Sequence, residues 1–486
     1  SILQMRVDSI IKGIPYLELI GNTNLEIEAI CFDSRKCCAN SLFVAIDGEE
    51  QDGHKYIKSA IEKGAKCVIY QNGEAPDCEV VIKVNDSRKA LGIIASNFYG
   101  NPSEKINLVG ITGTNGKTTT ATLLYQLFTD LGYCCGLLST IKNYIDKESY
   151  ETTHTTPDQI EINQLLAEMV KRGCEYCFME VSSHSCKQDR IYGLTFKGAI
   201  FSNLTHDHLD YHKTFADYIK SKKIFFDSLG KEAFALTNID DKNGLVMTQN
   251  CKAKIYTYSC RALADFNCKI IESTFDGMLI KINGKELWSR FIGRHNGYNL
   301  LAVYSTAILL GANEDEVLMA ISNLKSVSGR LEYIKGKKDI TAVIDYAHTP
   351  DALENVLKTL REICNGQELI CLFGCGGNRD KSKRPEMGKI AAQYADRVIV
   401  TSDNPRDESP EEIIKDIKGG MDYKERAKSL FISDRREAIR VATIVASPGA
   451  VILVAGKGHE DYQIIGKEKF HFDDKEELKN AFNELN

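Results

Sequence analysis

An α/β fold built on open, mostly parallel sheets is predicted by three features of this 486-residue sequence. Short apolar runs alternate with helical segments along most of its length. A glycine-rich turn joins one such run, Leu108–Thr112, to an amphipathic segment. The polar motifs fall directly after strand candidates, where ligands of open parallel sheets gather.

The first hundred residues mix short strands such as Ser41–Ile46 with a helix near Tyr56–Lys63, separated by turn signals at Asp52-Gly53 and Asn72-Gly73. Tyr99-Gly100-Asn101-Pro102 punctuates the chain, so a first domain is expected over 1–102. After the strand Leu108–Thr112 and the turn Gly113–Gly116, apolar residues at 123, 124, 127 and 131 follow a helical period. Further strands are expected at Tyr176–Val181, Gly198–Phe201 and Phe234–Asn238, then a β-rich patch with turns at Asp276-Gly277 and Asn283-Gly284. Leu300–Leu310 reads as a buried helix ending at Gly311. A second boundary near Gly329–Lys338 gives a central domain over 103–331 and a last one over 332–486. In that last domain, strand candidates Thr341–Asp345, Glu368–Phe373, Arg397–Thr401 and Val451–Ala455 alternate with helices such as Asp351–Ile363 and Pro385–Tyr394, predicting helices on both faces of a parallel sheet.

Composition narrows the function classes. With 61 basic and 67 acidic residues, no strongly basic domain marks a nucleic-acid binder. No run approaches the roughly 20 apolar residues that span a bilayer. The segment Ser1–Lys12 carries Arg6 and Asp8 and does not read as a secretory signal. Sixteen scattered cysteines, among them Cys174, Cys177, Cys371 and Cys375, read as buried thiols of a cytoplasmic protein. The oligomeric state is not fixed by the sequence; a monomer is compatible with it.

The strongest chemical signal is Gly113-Thr-Asn-Gly-Lys-Thr-Thr119 between strand and helix. Such a loop surrounds phosphates with backbone N–H groups, Lys117 neutralises them, and Thr118 can hold Mg²⁺, while the helix N-terminus adds its dipole. ATP use is therefore expected. Glu180-Val-Ser-Ser-His184 follows a strand and offers Glu180 to the metal. Thr205-His-Asp-His-Leu-Asp-Tyr-His212 is dense in oxygen and imidazole groups, which suits Mg²⁺, with zinc or a plain surface loop as the alternatives. Lys222 and Lys223 read as the solvated face of a helix, and nothing local selects either. The last domain offers Asp345-Tyr-Ala-His-Thr-Pro350, Gly374-Cys-Gly-Gly-Asn-Arg-Asp380, Asp403-Asn-Pro-Arg406 and Gly456-Lys-Gly-His-Glu460. Arg379 and Arg406 can grip carboxylates through their planar forks, and Glu460 can take an ammonium.

Taken in order, these motifs resemble those of the Mur ligases over nearly the whole chain: Asp33-Ser-Arg35, Leu42-Phe-Val-Ala45, the 113–119 loop, Thr155-Thr-Pro157, Glu180–His184, Asp207–His212, Gly293-Arg294 with Asn296, Asp345–Pro350, Asp403–Arg406 and Gly456–Glu460. The resemblance implies a three-domain Mur ligase architecture: a UDP-recognition domain, a central P-loop ATPase domain and a C-terminal Rossmann-like domain. It further implies ATP-dependent ligation of meso-2,6-diaminopimelate to the D-glutamyl side-chain carboxylate of UDP-N-acetylmuramoyl-L-alanyl-D-glutamate, through an acyl phosphate. By the same resemblance Ser34, Thr155, Thr156, Ser182, Gln188 and Arg190 contact the UDP substrate. Gly113, Thr114, Asn115, Gly116, Lys117, Thr118, Thr119, Asn296, Arg330, Asp345 and His348 serve ATP. Thr118, Glu180 and His208 hold Mg²⁺, and Lys222, rather than Lys223, is a carbamylated lysine. Lys117, Glu180, His208 and Lys222 form the catalytic set. Members selecting diaminopimelate carry the Asp-Asn-Pro-Arg signature, so Arg379, Asp403, Asn404, Pro405, Arg406, Gly456 and Glu460 are implied in its recognition. Ser328, Ala39-Asn40, His295 and Gly297 depart from the family pattern. Folylpolyglutamate synthetase and a nucleotide-regulated binding protein are the alternatives.

Overall fold

The computed structural model describes residues 3–48, 51–140, 142–150, 157–205, 214–325 and 331–486. The chain divides into two compact units. One comprises residues 1–269, 282–285 and 298–324; the other comprises 270–281, 286–297 and 325–486. No helix among the described residues is long and apolar enough to cross a membrane.

The first unit opens with a five-stranded sheet ordered Glu18–Ile20, Val80–Lys83, Ala65–Tyr70, Ser41–Val44, Ala29–Cys31, parallel except for its first pair. The helix Ser87–Phe98 covers one face, its first turn capped by Asp86, whose carboxylate accepts from Lys89 N.

Further along, six neighbouring parallel strands form the middle of a longer sheet in the order Cys135–Leu138, Tyr176–Glu180, Asn107–Thr112, Gly198–Phe201, Phe234–Asn238, Lys254–Ser259. Chain order reverses direction across Asn107–Thr112, which places a crevice at its carboxyl end. The helix Lys117–Asp130 starts there. The helix Phe215–Asp227 packs beneath, burying Tyr218, Ser221, Lys222, Phe225 and Phe226 at helical spacing. A Cβ on Gly110 would lie 2.5 Å from Phe225 Cζ, so glycine in this strand is what lets the helix approach. That contact fixes the depth at which Lys222, one turn earlier, sits under the loop.

The second unit carries the six-stranded sheet Glu332–Lys335, Thr341–Asp345, Val451–Ala455, Leu369–Phe373, Arg397–Val400, Ser429–Phe431, parallel apart from its first strand. Side chains alternate between two cores. Val343, Leu369, Cys371 and Phe373 meet Leu353, Leu357 and Met387 on one face. Ala342, Ile344, Ile370 and Leu372 meet Ile439, Leu478 and Phe482 on the other. Four expected strands are present, as are the helices Pro350–Ile363 and Lys383–Tyr394, the latter two residues longer at its start than expected. Strand Val451–Ala455 inserts between Thr341–Asp345 and Leu369–Phe373, creating a second switch point. The four cysteines singled out in the sequence, Cys174, Cys177, Cys371 and Cys375, are buried.

Candidate functional site

In the first unit the loop after Asn107–Thr112 is held from below by its neighbours. Thr114 N donates to Asn203 O at 2.8 Å and Asn115 N to Asn203 Oδ1 at 3.0 Å. Ser202 Oγ and Asn203 Nδ2 in turn donate to Asn115 O, and the Thr114 hydroxyl lies 3.2 Å from Tyr218 OH. Neither Ser202, Asn203 nor Tyr218 stood out in the sequence, because each acts by geometry that only the neighbouring elements supply. Thr119 follows on the first turn of the helix Lys117–Asp130.

Lys117 folds back, its Nζ donating to Gly113 O at 2.7 Å and to Thr114 O at 3.4 Å. Burial pushes its amine below the ordinary value, and Glu180 opposes that shift. Lys222 Nζ reaches the same carbonyl, Gly113 O, at 2.9 Å, with Thr112 Oγ1 at 3.4 Å. Lys222 is fully buried, and burial, then the charge of Lys117, push its amine well below the ordinary lysine value. Lys223, by contrast, pairs with Asp227 and Asn250 on the outer side of the helix. The solvated-lysine reading therefore holds for Lys223 and fails for Lys222. Helical spacing does not select between them, because Tyr218 and Phe225 flank Lys222 as Ile219 and Phe226 flank Lys223.

Glu180 ends its strand beside the loop. Its Oε1 accepts from Thr118 Oγ1 at 2.8 Å, and its Oε2 from Thr140 N at 2.8 Å and Thr140 Oγ1 at 3.3 Å. Lys117, Glu180 and Ser182 line one open cleft, together with Ser139, Thr140, Ser185 and an apolar wall of Leu138, Pro157, Ile162 and Met179. Ser182 caps the short helix Ser183–Lys187, and Gln188 Oε1 accepts from Arg190 Nε at 3.0 Å. Ser34 belongs instead to the N-terminal sheet region, where it is buried and opens the turn Ser34–Lys36 behind the Asp33–Arg35 ion pair. Thr155, Thr156, His208 and Arg330 lie outside the described residues, as does the segment 206–213.

In the second unit, Asp345 is buried at the end of its strand and accepts from Leu331 N at 2.9 Å and Ala347 N at 2.8 Å. It thus shapes the loop that carries His348, whose Nδ1 lies 3.0 Å from Tyr346 O. Asn296 Nδ2 donates to Ile292 O at 2.9 Å.

The other three motifs of this unit converge at adjacent strand ends. Arg406 Nη1 donates to Gly377 O at 3.0 Å, and Gly377 N donates to Asn404 O at 2.8 Å. A Cβ on Gly377 would fall 1.8 Å from Pro405 O, so only glycine lets the two loops cross this closely. Arg379 is exposed on the same loop, its Nη1 donating to Asn378 O. Gly456 faces Asp403, and Glu460 is half-buried, its carboxyl pushed above the ordinary value by burial and then by Asp403. Arg379, Asp403, Asn404, Pro405, Arg406, Gly456 and Glu460 are thus gathered at one edge of one sheet.

A buried support lies behind Gly374–Asp380. Arg384 donates to Glu408 Oε2 at 2.7 Å, to Asp416 Oδ2 at 2.9 Å and to Gly376 O at 3.1 Å, while Asn378 N donates to Glu408 at 2.6 Å. The Arg384 guanidinium, then the Asn378 N–H, hold the Glu408 carboxyl at about 2 against an ordinary 4.5. A carboxyl depressed on folding stabilises above its unfolded value and loses that contribution as pH falls through the folded one. Glu408→Gln is expected to cost about 1–2 kcal/mol at pH 7. The gap to the parent protein should close between pH 4.5 and 2, as followed by urea denaturation. A gap constant down to pH 2 would contradict this assignment.

Three family models match the chain: the Mur ligase family catalytic domain over residues 26–99, the Mur ligase middle domain over 111–307, and the Mur ligase glutamate ligase domain over 329–458. The UDP-N-acetylmuramoyl-L-alanyl-D-glutamate--2,6-diaminopimelate ligase of Phocaeicola vulgatus is 55% identical over 481 residues, covering 98% of this chain and 99% of that protein. A solved structure of a UDP-N-acetylmuramoyl-L-alanyl-D-glutamate--2,6-diaminopimelate ligase superposes with a TM-score of 0.75 at 30% identity, covering 99% of each chain. Folylpolyglutamate synthase of Mycobacterium tuberculosis shares the fold at a TM-score of 0.55 and 17% identity, over 76% of this chain and 92% of that one. With a relative this similar along its full length, and family models matching in order from residue 26 to 458, the chain belongs to the Mur ligase family.

Proposed function

We propose that this protein joins meso-2,6-diaminopimelate to the D-glutamyl side-chain carboxylate of UDP-N-acetylmuramoyl-L-alanyl-D-glutamate, with ATP converted to ADP and phosphate. The observation that carries the reading is the 55% identity to a ligase of that name, joined to an intact Asp403-Asn-Pro-Arg406. A carboxylate has no leaving group. Phosphorylation by ATP supplies one as an acyl phosphate, which the incoming amine attacks through a tetrahedral intermediate, expelling phosphate. A cytoplasmic location goes with these substrates.

The residue roles are part of the proposal. Gly113–Thr119 cradles the ATP phosphates through its backbone N–H groups, and Lys117 leaves the loop carbonyls to meet phosphoryl oxygens. Asn296, Arg330, Asp345 and His348 serve the nucleotide. Ser34, Thr155, Thr156, Ser182, Gln188 and Arg190 hold the UDP substrate. The adjacent Thr118 hydroxyl and Glu180 carboxylate form a hard oxygen pair that fits Mg²⁺; with His208 they would hold it. The ion, once bound, screens phosphoryl charge. Lys222 is disposed for carbamylation, because its buried amine, sharing Gly113 O with Lys117, is pushed toward the neutral form that adds CO₂. The carbamate places an anion beside Lys117 where two cations would repel. Protein equilibrated with ¹³C-bicarbonate should give a carbamate resonance that Lys222→Ala lacks; an identical spectrum from both would remove this modification.

The activity itself is tested with purified protein. Phosphate and a UDP-linked tripeptide should form only when ATP, Mg²⁺, the UDP-muramoyl dipeptide and meso-diaminopimelate are all present. Turnover of folate substrates with none of these would overturn the reading. Preference for L-lysine would overturn only the choice of amine.

A further inference from the structure

Lys457 belongs to the Gly456–Glu460 loop, contacts the Asp403–Arg406 motif and is fully buried. Its Nζ lies 2.9 Å from Asp403 Oδ1 and donates to Asn404 Oδ1 at 2.9 Å and to Tyr462 O at 3.0 Å. Two hydrogen-bond acceptors and the adjacent Asp403 carboxylate surround the ammonium, so its buried charge is compensated. Burial lowers its amine below the ordinary value, and Asp403 opposes that shift.

Asn404 Oδ1 accepts a second bond, from Ile464 N at 3.0 Å. An ammonium and a backbone N–H have no acceptor capacity, so the end of the amide facing them must be oxygen. The donating Nδ2 is thereby turned the other way. The backbone frame is held by a separate group. Arg435 is buried, grips Asp474 with two bonds at 2.8 Å, and donates to Ser402 O at 3.0 Å and Ala455 O at 3.3 Å. Those carbonyls belong to the residues immediately before Asp403 and Gly456. Lys457 therefore acts on the side chains of the motif, while Arg435 anchors its main chain.

We infer that Lys457 is a positioning residue that sets the amino-acid pocket for a substrate bearing a second carboxylate, by locking Asn404 with its amide donors presented and by cancelling the charge of Asp403. This rests on the reading that Asp403–Arg406 receives the diamino acid. Without Lys457, Asn404 is free to present its oxygen and Asp403 stands as an unpaired anion. Both changes penalise an incoming distal carboxylate. Neither penalises L-lysine, which carries an ammonium there and no second carboxylate.

The test compares Lys457→Met and Lys457→Gln with the parent enzyme, using meso-diaminopimelate and L-lysine as competing amines. For Lys457→Met, the KM for diaminopimelate should rise at least tenfold, while those for ATP and the UDP-dipeptide stay within twofold. The ratio of kcat/KM for diaminopimelate over L-lysine should fall at least tenfold. Lys457→Gln, whose amide N–H can still donate to Asn404, should recover part of that ratio and remain at least threefold below the parent. An unchanged ratio, or a parallel rise in all three KM values, overturns the inference. Should the Met variant be recovered unfolded, the ratio for the Gln variant decides alone. Arg406→Lys, assayed alongside, separates the two levels. If it impairs diaminopimelate use while both Lys457 variants keep the parental ratio, only this inference fails. If it leaves diaminopimelate use intact, the reading beneath it fails.

Discussion

Lys117→Ala is expected to lower kcat for phosphate release by about a thousandfold, the cost of removing one preorganised charge from a buried transition state. The structure makes this variant a clean one. Among the described residues Lys117 donates to Gly113 O and Thr114 O alone, and Gly113 O keeps a second donor in Lys222 Nζ at 2.9 Å. The loop also keeps its bonds to Asn203 and Ser202. The folded state therefore keeps its support for the loop carbonyl and loses little. Thermal denaturation within a few degrees of the parent, together with the fall in kcat, is the expected pair of results. A kcat within tenfold of the parent would remove Lys117 from the catalytic set.

Arg406→Lys should reduce kcat/KM for diaminopimelate by about 30-fold or more, corresponding to the roughly 2 kcal/mol lower bound for a desolvated charge pair that loses its partner. One guanidinium nitrogen already donates to Gly377 O, which ties the motif to the neighbouring glycine loop. Among the described residues the other guanidinium nitrogens make no hydrogen bond, which leaves them for the carboxylate of the proposed substrate. A lysine ammonium can make the carbonyl contact or the ion pair, but lacks the planar geometry to make both. ATP affinity is expected to stay within twofold, measured by calorimetry with a non-hydrolysable analogue. Equal losses for both ligands would indicate collapse of the sheet edge instead of a lost contact.

The phosphate loop was legible because its chemistry is local. Gly113, Gly116, Lys117 and Thr118 stand within six residues, and a strand–turn–helix context surrounds them. The polar junctions after the strands of the second unit were legible for a related reason: parallel sheets send their ligand-binding loops to one edge, and strand ends can be read from apolar runs. Lys222 was not legible from its own segment. Tyr218 and Phe225 flank it at helical spacing as Ile219 and Phe226 flank Lys223, so the two lysines look alike until the buried face is known.

Arg384, Glu408, Arg435 and Asp474 lie outside every motif, and Lys457, inside Gly456–Glu460, was given no role there, although together they frame the last site. Arg435 and Asp474 are 39 residues apart and meet with no exposed side-chain surface. Lys457 meets Asn404 across 53 residues. No periodicity reports such partners.

The sequence by itself determined the parallel α/β class, the order of the motifs and the kind of chemistry each can do, because these depend on spacing along the chain. The tertiary structure alone decided which of two lysines is buried beneath the phosphate loop. It also decided which way the Asn404 amide faces and which carboxylates are already paired. Those outcomes depend on desolvation and on donors brought from distant strands, and both come into being only when the chain packs.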